Sequence, residues 1–238
     1  MLNRQGGDAG FIPIAYLCVV KELGLIWSLI RKDWMIEWRL KYALSGLMLY
    51  LITLVFVVVI SFQEISGPVW NVLFWILFLF VGMNAVLKSY QQESGYRKYY
   101  LQQLIDPLTL LISKTIYNVV LLFICALLIY GMLSIFITSP VRDVWLFLGT
   151  IAAVSVSFGI CLTFISIIAN QAAESATLAV IIGFPVLLPV LITGVRMSAF
   201  TIGMSMGGEI SGDFTILLAI DLLLMGLSLW LFPFLWKD

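Results

Sequence analysis

Histidine is absent from this chain of 238 residues. Its absence removes zinc-protease helices, Ser-His and Cys-His nucleophile pairs, and histidine-ligated haem or metal sites. Cysteine is scarce: Cys18, Cys125 and Cys161 lie far apart in apolar runs, and no CxxC pair occurs. Neither a dithiol redox motif nor a thiolate cluster is supported, and each cysteine reads as a small buried hydrophobe. Charge is also sparse, at 11% of residues with a net charge of zero, where a soluble domain carries about a quarter. The zero balance leaves no electrostatic case for nucleic acid. No GxxxxGK[ST] stretch is present, so the chain does not cradle ATP phosphates. No catalytic or nucleotide site is expected on it, and energy for any active process must come from another polypeptide.

Hydrophobic side chains fill the space that charge leaves, at 62% of residues. A membrane span needs roughly 20 apolar residues. Six runs qualify: Ala43–Ser61, Val69–Leu87, Thr115–Ile137, Val144–Ala169, Thr177–Val195 and Phe214–Leu235. The fold class is therefore all-α, a polytopic membrane protein of six transmembrane helices. The fourth run is long enough to tilt or protrude. Eight Trp and nine Tyr, many near span ends, suit interfacial anchoring.

Orientation follows from the basic residues that flank the spans. With both termini inside, the inner segments hold Arg4, Lys21, Arg31, Lys32, Arg39, Lys41, Lys88, Arg97, Lys98, Lys114 and Lys237, and the outer loops hold only Arg142 and Arg196. The expected location is a bacterial inner membrane with cytoplasmic termini.

One polar stretch stands out between the spans: KSYQQESGYRKYYLQQLIDPLTLLISK, residues 88–114. The charge bias places it in the cytoplasm. Tyr96, Tyr100, Leu104 and Leu108 share one helical face, with Leu101 and Ile105 beside them, which predicts a short amphipathic helix over 96–105. Gly95 suits a flexible entry, and Asp106-Pro107 a break, since the residue before proline is pushed out of helical conformation. Pro107 then suits the first turn of the next helix, where Lys114 can snorkel to the interface. Two readings fit: docking into a groove of a cytoplasmic ATPase, or anchoring of the loop at the lipid surface.

Upstream, residues 1–20 read as an N-terminal extension. Its apolar run Phe11–Val20 is too short to span and is followed by no signal-peptide cleavage site; an interfacial segment or a start assigned too far upstream both fit. Over residues 24–41, Ile26, Ile30, Trp34 and Trp38 recur every four residues. They form one apolar stripe, as in a helix lying in the headgroup layer; packing on a partner is the alternative.

Pro185 and Pro189 fall on one face of the fifth span. Each removes a backbone donor, so the carbonyls of Ile181 and Pro185 lose their usual partners. The kinked helix is either a hinge or translocation-path element or a static packing kink. Asp221 is the intramembrane carboxylate, seven residues past Phe214. A charge there is costly unless paired, protonated or hydrated; a functional role and a structural hydrogen bond to Ser or Thr both fit. Asn170, Gln171 and Glu174 form a second short inner loop, and Arg196–Asp213 a longer outer connection.

Four stretches carry a family resemblance: RKDWMIEWRLKYALSG (31–46), KSYQQESGYRKYY (88–100), SATLAVIIGFPVLLPVLI (175–192) and LFPFLWKD (231–238). Together they resemble the haem exporter protein B family (CcmB), type-2 ABC permeases of cytochrome c maturation, in its Bacteroidetes-type branch. The likeness runs over residues 21–238, as one permease domain with an elbow helix at 24–41 and a coupling loop at 88–114. It implies a membrane permease subunit working with a cytoplasmic ABC ATPase (CcmA-like). A haem-handling membrane protein (CcmC-like) and a periplasmic haem chaperone (CcmE-like), released in its haem-loaded form, complete the expected set, with two copies of this chain per complex. Under it, Gly95, Tyr96, Tyr100, Leu101, Leu104, Pro107 and Lys114 belong to the ATPase-coupling loop. ATP would be bound by the partner, and haem handled by the complex rather than ligated here. A type-2 permease for lipid, polysaccharide or drug shares the elbow and loop and is the alternative. An intramembrane enzyme lacks the histidine, GxGD motif or paired carboxylates it would need.

Overall fold

The computed structural model describes residues 24–32, 34–35, 41–61, 65–91, 106–137, 139–169, 175–204 and 210–235. The described residues are all-helical: α1 (residues 24–32), α2 (Lys41–Ser61), α3 (Gly67–Gln91), α4 (Pro107–Phe136), α5 (Val144–Ala169), α6 (Ser175–Thr201) and α7 (Ile210–Leu235). Hydrocarbon offers backbone amides no partner, so apolar runs of this length satisfy them within the helix. Five of the helices are long and apolar enough to cross a membrane, in α3, α4, α5, α6 and α7, and the chain is a multi-pass membrane protein; in α2 the apolar stretch Met48–Ser61 is shorter.

Helix α5 is the centre of the bundle. It packs against α3, α4, α6 and α7, and 72% of its span is buried, against 17% for the peripheral α7. The sequence explains the place: Ser155, Ser157, Gly159, Cys161, Thr163 and Ser166 keep α5 thin, and all are buried. Small side chains let membrane helices approach closely, which is where their packing energy comes from. At Gly159 an added Cβ would lie 3.1 Å from the Val119 backbone.

One sequence expectation about helix ends is met and one changes. Helix α4 starts at Pro107, in the first-turn place expected for it, with Asp106 extended just ahead of it, so the apolar span expected from Thr115 begins eight residues inside the helix. The stretch 107–114 is thus helix rather than loop. Its polar side chains Thr109, Ser113 and Lys114 are buried, so they resemble a loop in composition only. Helix α6 continues past Val195 to Thr201, so Arg196 belongs to a helix and the connection expected over 196–213 is mostly helical.

The end of α6 has a specific cause. Gly203 adopts φ +81, and the amides of Gly203 and Met204 return to the carbonyls of Phe200 and Ala199 at 3.1 and 3.0 Å. This is a Schellman termination, which favours glycine because only glycine takes that conformation freely.

Aromatic residues fill the core. Trp70, Phe74, Tyr130 and Phe147 form one contiguous group, joined through Trp75 and Phe78 to Phe158. Trp70 and Trp75 are buried and are not the interfacial anchors expected of tryptophans near a span start. Trp27, Trp34, Trp145 and Trp230 are exposed, as that role requires. In α1 the buried residue is Leu29, with Ile26 and Ile30 only half-buried beside it.

Candidate functional site

From α3 to α7 the helices alternate in direction, so their ends gather at two poles. One pole holds Lys114 and the other Arg196 and Asp213.

At the first pole, Gly95, Tyr96, Tyr100, Leu101 and Leu104 lie outside the described residues, and Pro107 and Lys114 lie within them. Pro107 opens α4, where its missing N–H is one that a first turn would not use. Lys114 is only 5% exposed and is engaged in an interaction. Thr109, Ser113, Thr115 and Asn118 are buried along α4, as are Thr163 and Ser166 along α5, which packs on it. Asn118 Nδ2 donates to Thr163 Oγ1 at 2.9 Å, whose hydroxyl donates to the Gly159 carbonyl at 2.7 Å. This bond fixes the α4–α5 register beside the close contact at Gly159.

Pro185 and Pro189 both lie inside an uninterrupted α6. Their side is exposed and continues through Ile181, Phe184, Leu188 and Ile192, while Leu187, Val190, Thr193 and Gly194 face the bundle. The prolines therefore point away from the bundle interior. The Thr193 hydroxyl donates to the Pro189 carbonyl at 2.8 Å, adding a polar bond within the same segment.

Asp221 sits between α7 and α5, where the Ser157 hydroxyl meets its Oδ2 at 2.9 Å. Its Oδ1 is buried without a partner. The hydrogen bond to a serine is one of the two outcomes expected from sequence. The position is more central than expected: the apolar span of this helix runs Ile210–Leu231, which puts Asp221 eleven residues from one end and ten from the other.

The second pole holds groups that sequence reading passed over. Arg196 Nη2 lies 3.2 Å from Asp213 Oδ1, and Asp213 is 2% exposed against 40% for the Arg196 side chain. The carboxylate stands in the first turn of α7, where the helix dipole favours it, and removal of the arginine would strand a buried charge. Beside it, Arg142 lies over Gly203, with its guanidinium 2.8 Å from where a Cβ would be. The Arg142 amide donates to the Thr201 carbonyl at 2.9 Å, satisfying an orphan acceptor at a helix end.

One turn deeper, Ser198 joins Trp75 and Asn71. Its hydroxyl accepts from Trp75 Nε1 at 2.7 Å and lies 2.6 Å from Asn71 Oδ1, while Asn71 Nδ2 donates to the Val195 carbonyl at 2.9 Å. These residues tie α3 to α6 inside the bundle. A signal was present in the sequence, since Asn71 breaks an otherwise apolar run and a polar side chain there needs a partner.

Both poles and the mid-span carboxyl are thus built from groups that bind helices to each other, and among the described carboxylates Asp221 is the one at mid-span with an oxygen left over. Compared with family models, curated proteins and solved structures, the chain matches none.

Proposed function

We propose that this chain is the membrane subunit of an ATP-driven ABC complex, a six-span permease of the type-2 class that serves cytochrome c maturation. The sixth span is α2, whose 21 residues Lys41–Ser61 form one helix. Both termini are cytoplasmic, α1 is the interfacial elbow, and the membrane is a bacterial inner membrane. The observation that carries this reading is the basic and aromatic connection between α3 and α4. It holds Arg97, Lys98, Tyr96, Tyr99 and Tyr100, while eleven of the thirteen basic residues fall on its side of the membrane in the six-span arrangement. A chain without a nucleotide loop that presents such a segment to the cytoplasm is suited to receive motion from a separate ATPase. Haem, in this scheme, is handled by other members of the complex, and its chaperone is released when ATP is hydrolysed.

Deletion of the gene tests the reading. Covalently bound haem in c-type cytochromes is expected to fall to background, and to return when the gene is restored. Normal covalent haem in the deletion strain rejects the assignment. If the ATPase still co-purifies with the chain in that case, the permease class stands and the substrate is a lipid, polysaccharide or drug.

A further inference from the structure

Asp221 is in the wrong surroundings for a carboxylate. It lies midway along the Ile210–Leu231 span, and Ser157 lies well inside the Val144–Ser166 span of α5. Charge at that depth costs several kcal/mol unless it is paired, protonated or hydrated.

Pairing within the chain finds no partner among the described residues. Helix α7 packs on α4, α5 and α6. From α6 no titratable side chain arises between Ile181 and Val195. Arg196 beyond them is bonded to Asp213, eight residues or about 12 Å of helix away from Asp221. From α4 come Tyr117, Cys125 and Tyr130, which belong to the core cluster, with Lys114 toward the opposite pole. From α5 comes Cys161, one turn along from Ser157 and within electrostatic range of Asp221, which carries no positive charge. Asp213 is the other titratable group on α7.

We propose that Asp221 and Ser157 form a proton-binding site at mid-membrane, in which the Asp221 carboxyl is held as the neutral acid. Ser157 can serve Oδ2 in either state, and Oδ1 has no donor in either, so the states differ in whether that buried oxygen carries charge. With the proton on Oδ2, the acid donates to Ser157 Oγ across the observed 2.9 Å, and the Ser157 hydroxyl donates onward to the Ala153 carbonyl at 3.4 Å. Every proton then has an acceptor. The oxygen left over is Oδ1, now a carbonyl acceptor, and a buried acceptor without a partner is more readily tolerated than a buried donor. In the ionised state Oδ1 would hold a share of the negative charge with no donor against it, since it is buried and unpartnered. The site takes a proton and no larger ligand. It rests on the multi-pass reading of the chain and is independent of the identity of the ATPase or the cargo.

Infrared spectroscopy of the full chain in lipid bilayers at neutral pH tests it. The wild-type spectrum minus that of Asp221→Asn is expected to show the carbonyl stretch of a protonated carboxylic acid, which shifts in heavy water. Ser157→Ala is expected to displace that band, because the group receiving the acid's proton is gone. Labelling the aspartate carboxyls of the unsubstituted chain with carbon-13 must move the same band, which keeps the test valid should Asp221→Asn fold poorly. A difference spectrum that shows only carboxylate stretches overturns the proposal. A band indifferent to Ser157→Ala overturns the pairing on which it is built.

Discussion

At the scale of single residues, the polar side chains inside this bundle hold it together by pairing across helices. Ser198 shows how much depends on one hydroxyl. It is fully buried and serves both Trp75 Nε1 and Asn71 Oδ1. Ser198→Ala strands a donor and an acceptor in a place no water reaches. The expected loss is about 2–3 kcal/mol, read as a lower midpoint of thermal unfolding in detergent. An unchanged midpoint would mean that the two groups find other partners. Little of this was legible beforehand. Asn71 and Ser198 are 127 positions apart, and periodicity along one helix says nothing about which polar residue on another helix will face it. Asp221 was legible, because an acid inside an apolar run is conspicuous wherever its partner comes from. Lys114 was legible as a residue, and its burial was not: it is enclosed, as are Thr109, Ser113 and Thr115 on the same helix.

At the scale of helices, middles were readable and ends were readable only where a proline marked them. A run of twenty apolar residues identifies a span because lipid permits little else. A helix that continues into polar sequence leaves no such trace, so the run of α6 on to Thr201 was missed, whereas the start of α4 was marked by Asp106-Pro107. Gly203 after SAFTI was the available stop signal for α6, since glycine is favoured just past a helix end. Contacts between helices are finer still. Two glycines test how closely the helices meet. At Gly159 an added Cβ meets the Val119 side chain at 2.5 Å and its backbone at 3.1 Å; at Gly82 it meets only the tip of Leu122 at 2.7 Å. A leucine tip can turn aside and a helix backbone cannot. Gly159→Ala is therefore expected to destabilise by about 1–3 kcal/mol, and Gly82→Ala by clearly less, when the two are compared by thermal unfolding in the same detergent. Equal losses would contradict the backbone contact between α4 and α5.

At the scale of the whole molecule, the proposed function depends on a part that is small beside the bundle. The connection after α3 is proposed to receive a partner through Tyr100 and Leu104, which share a face in a helical reading of that stretch. Replacing both by Asp is expected to remove the ATPase from co-purified material while the chain still inserts in the membrane at its normal level. Recovery of the ATPase at wild-type yield would exclude this face as its dock. The multi-pass, all-helical architecture was legible from composition alone. The placement of α5 at the centre was not, because its apolar run looks like its neighbours' and only the spacing of its small residues sets it apart.

The aromatic group from Trp70 to Phe158 carries one more consequence. It occupies the middle of the bundle with interlocking rings, where a conduit would need water and polar lining. In the proposed permease this chain would be a wall rather than a pipe, and cargo would travel along its outside, over surfaces such as the outward proline side of α6.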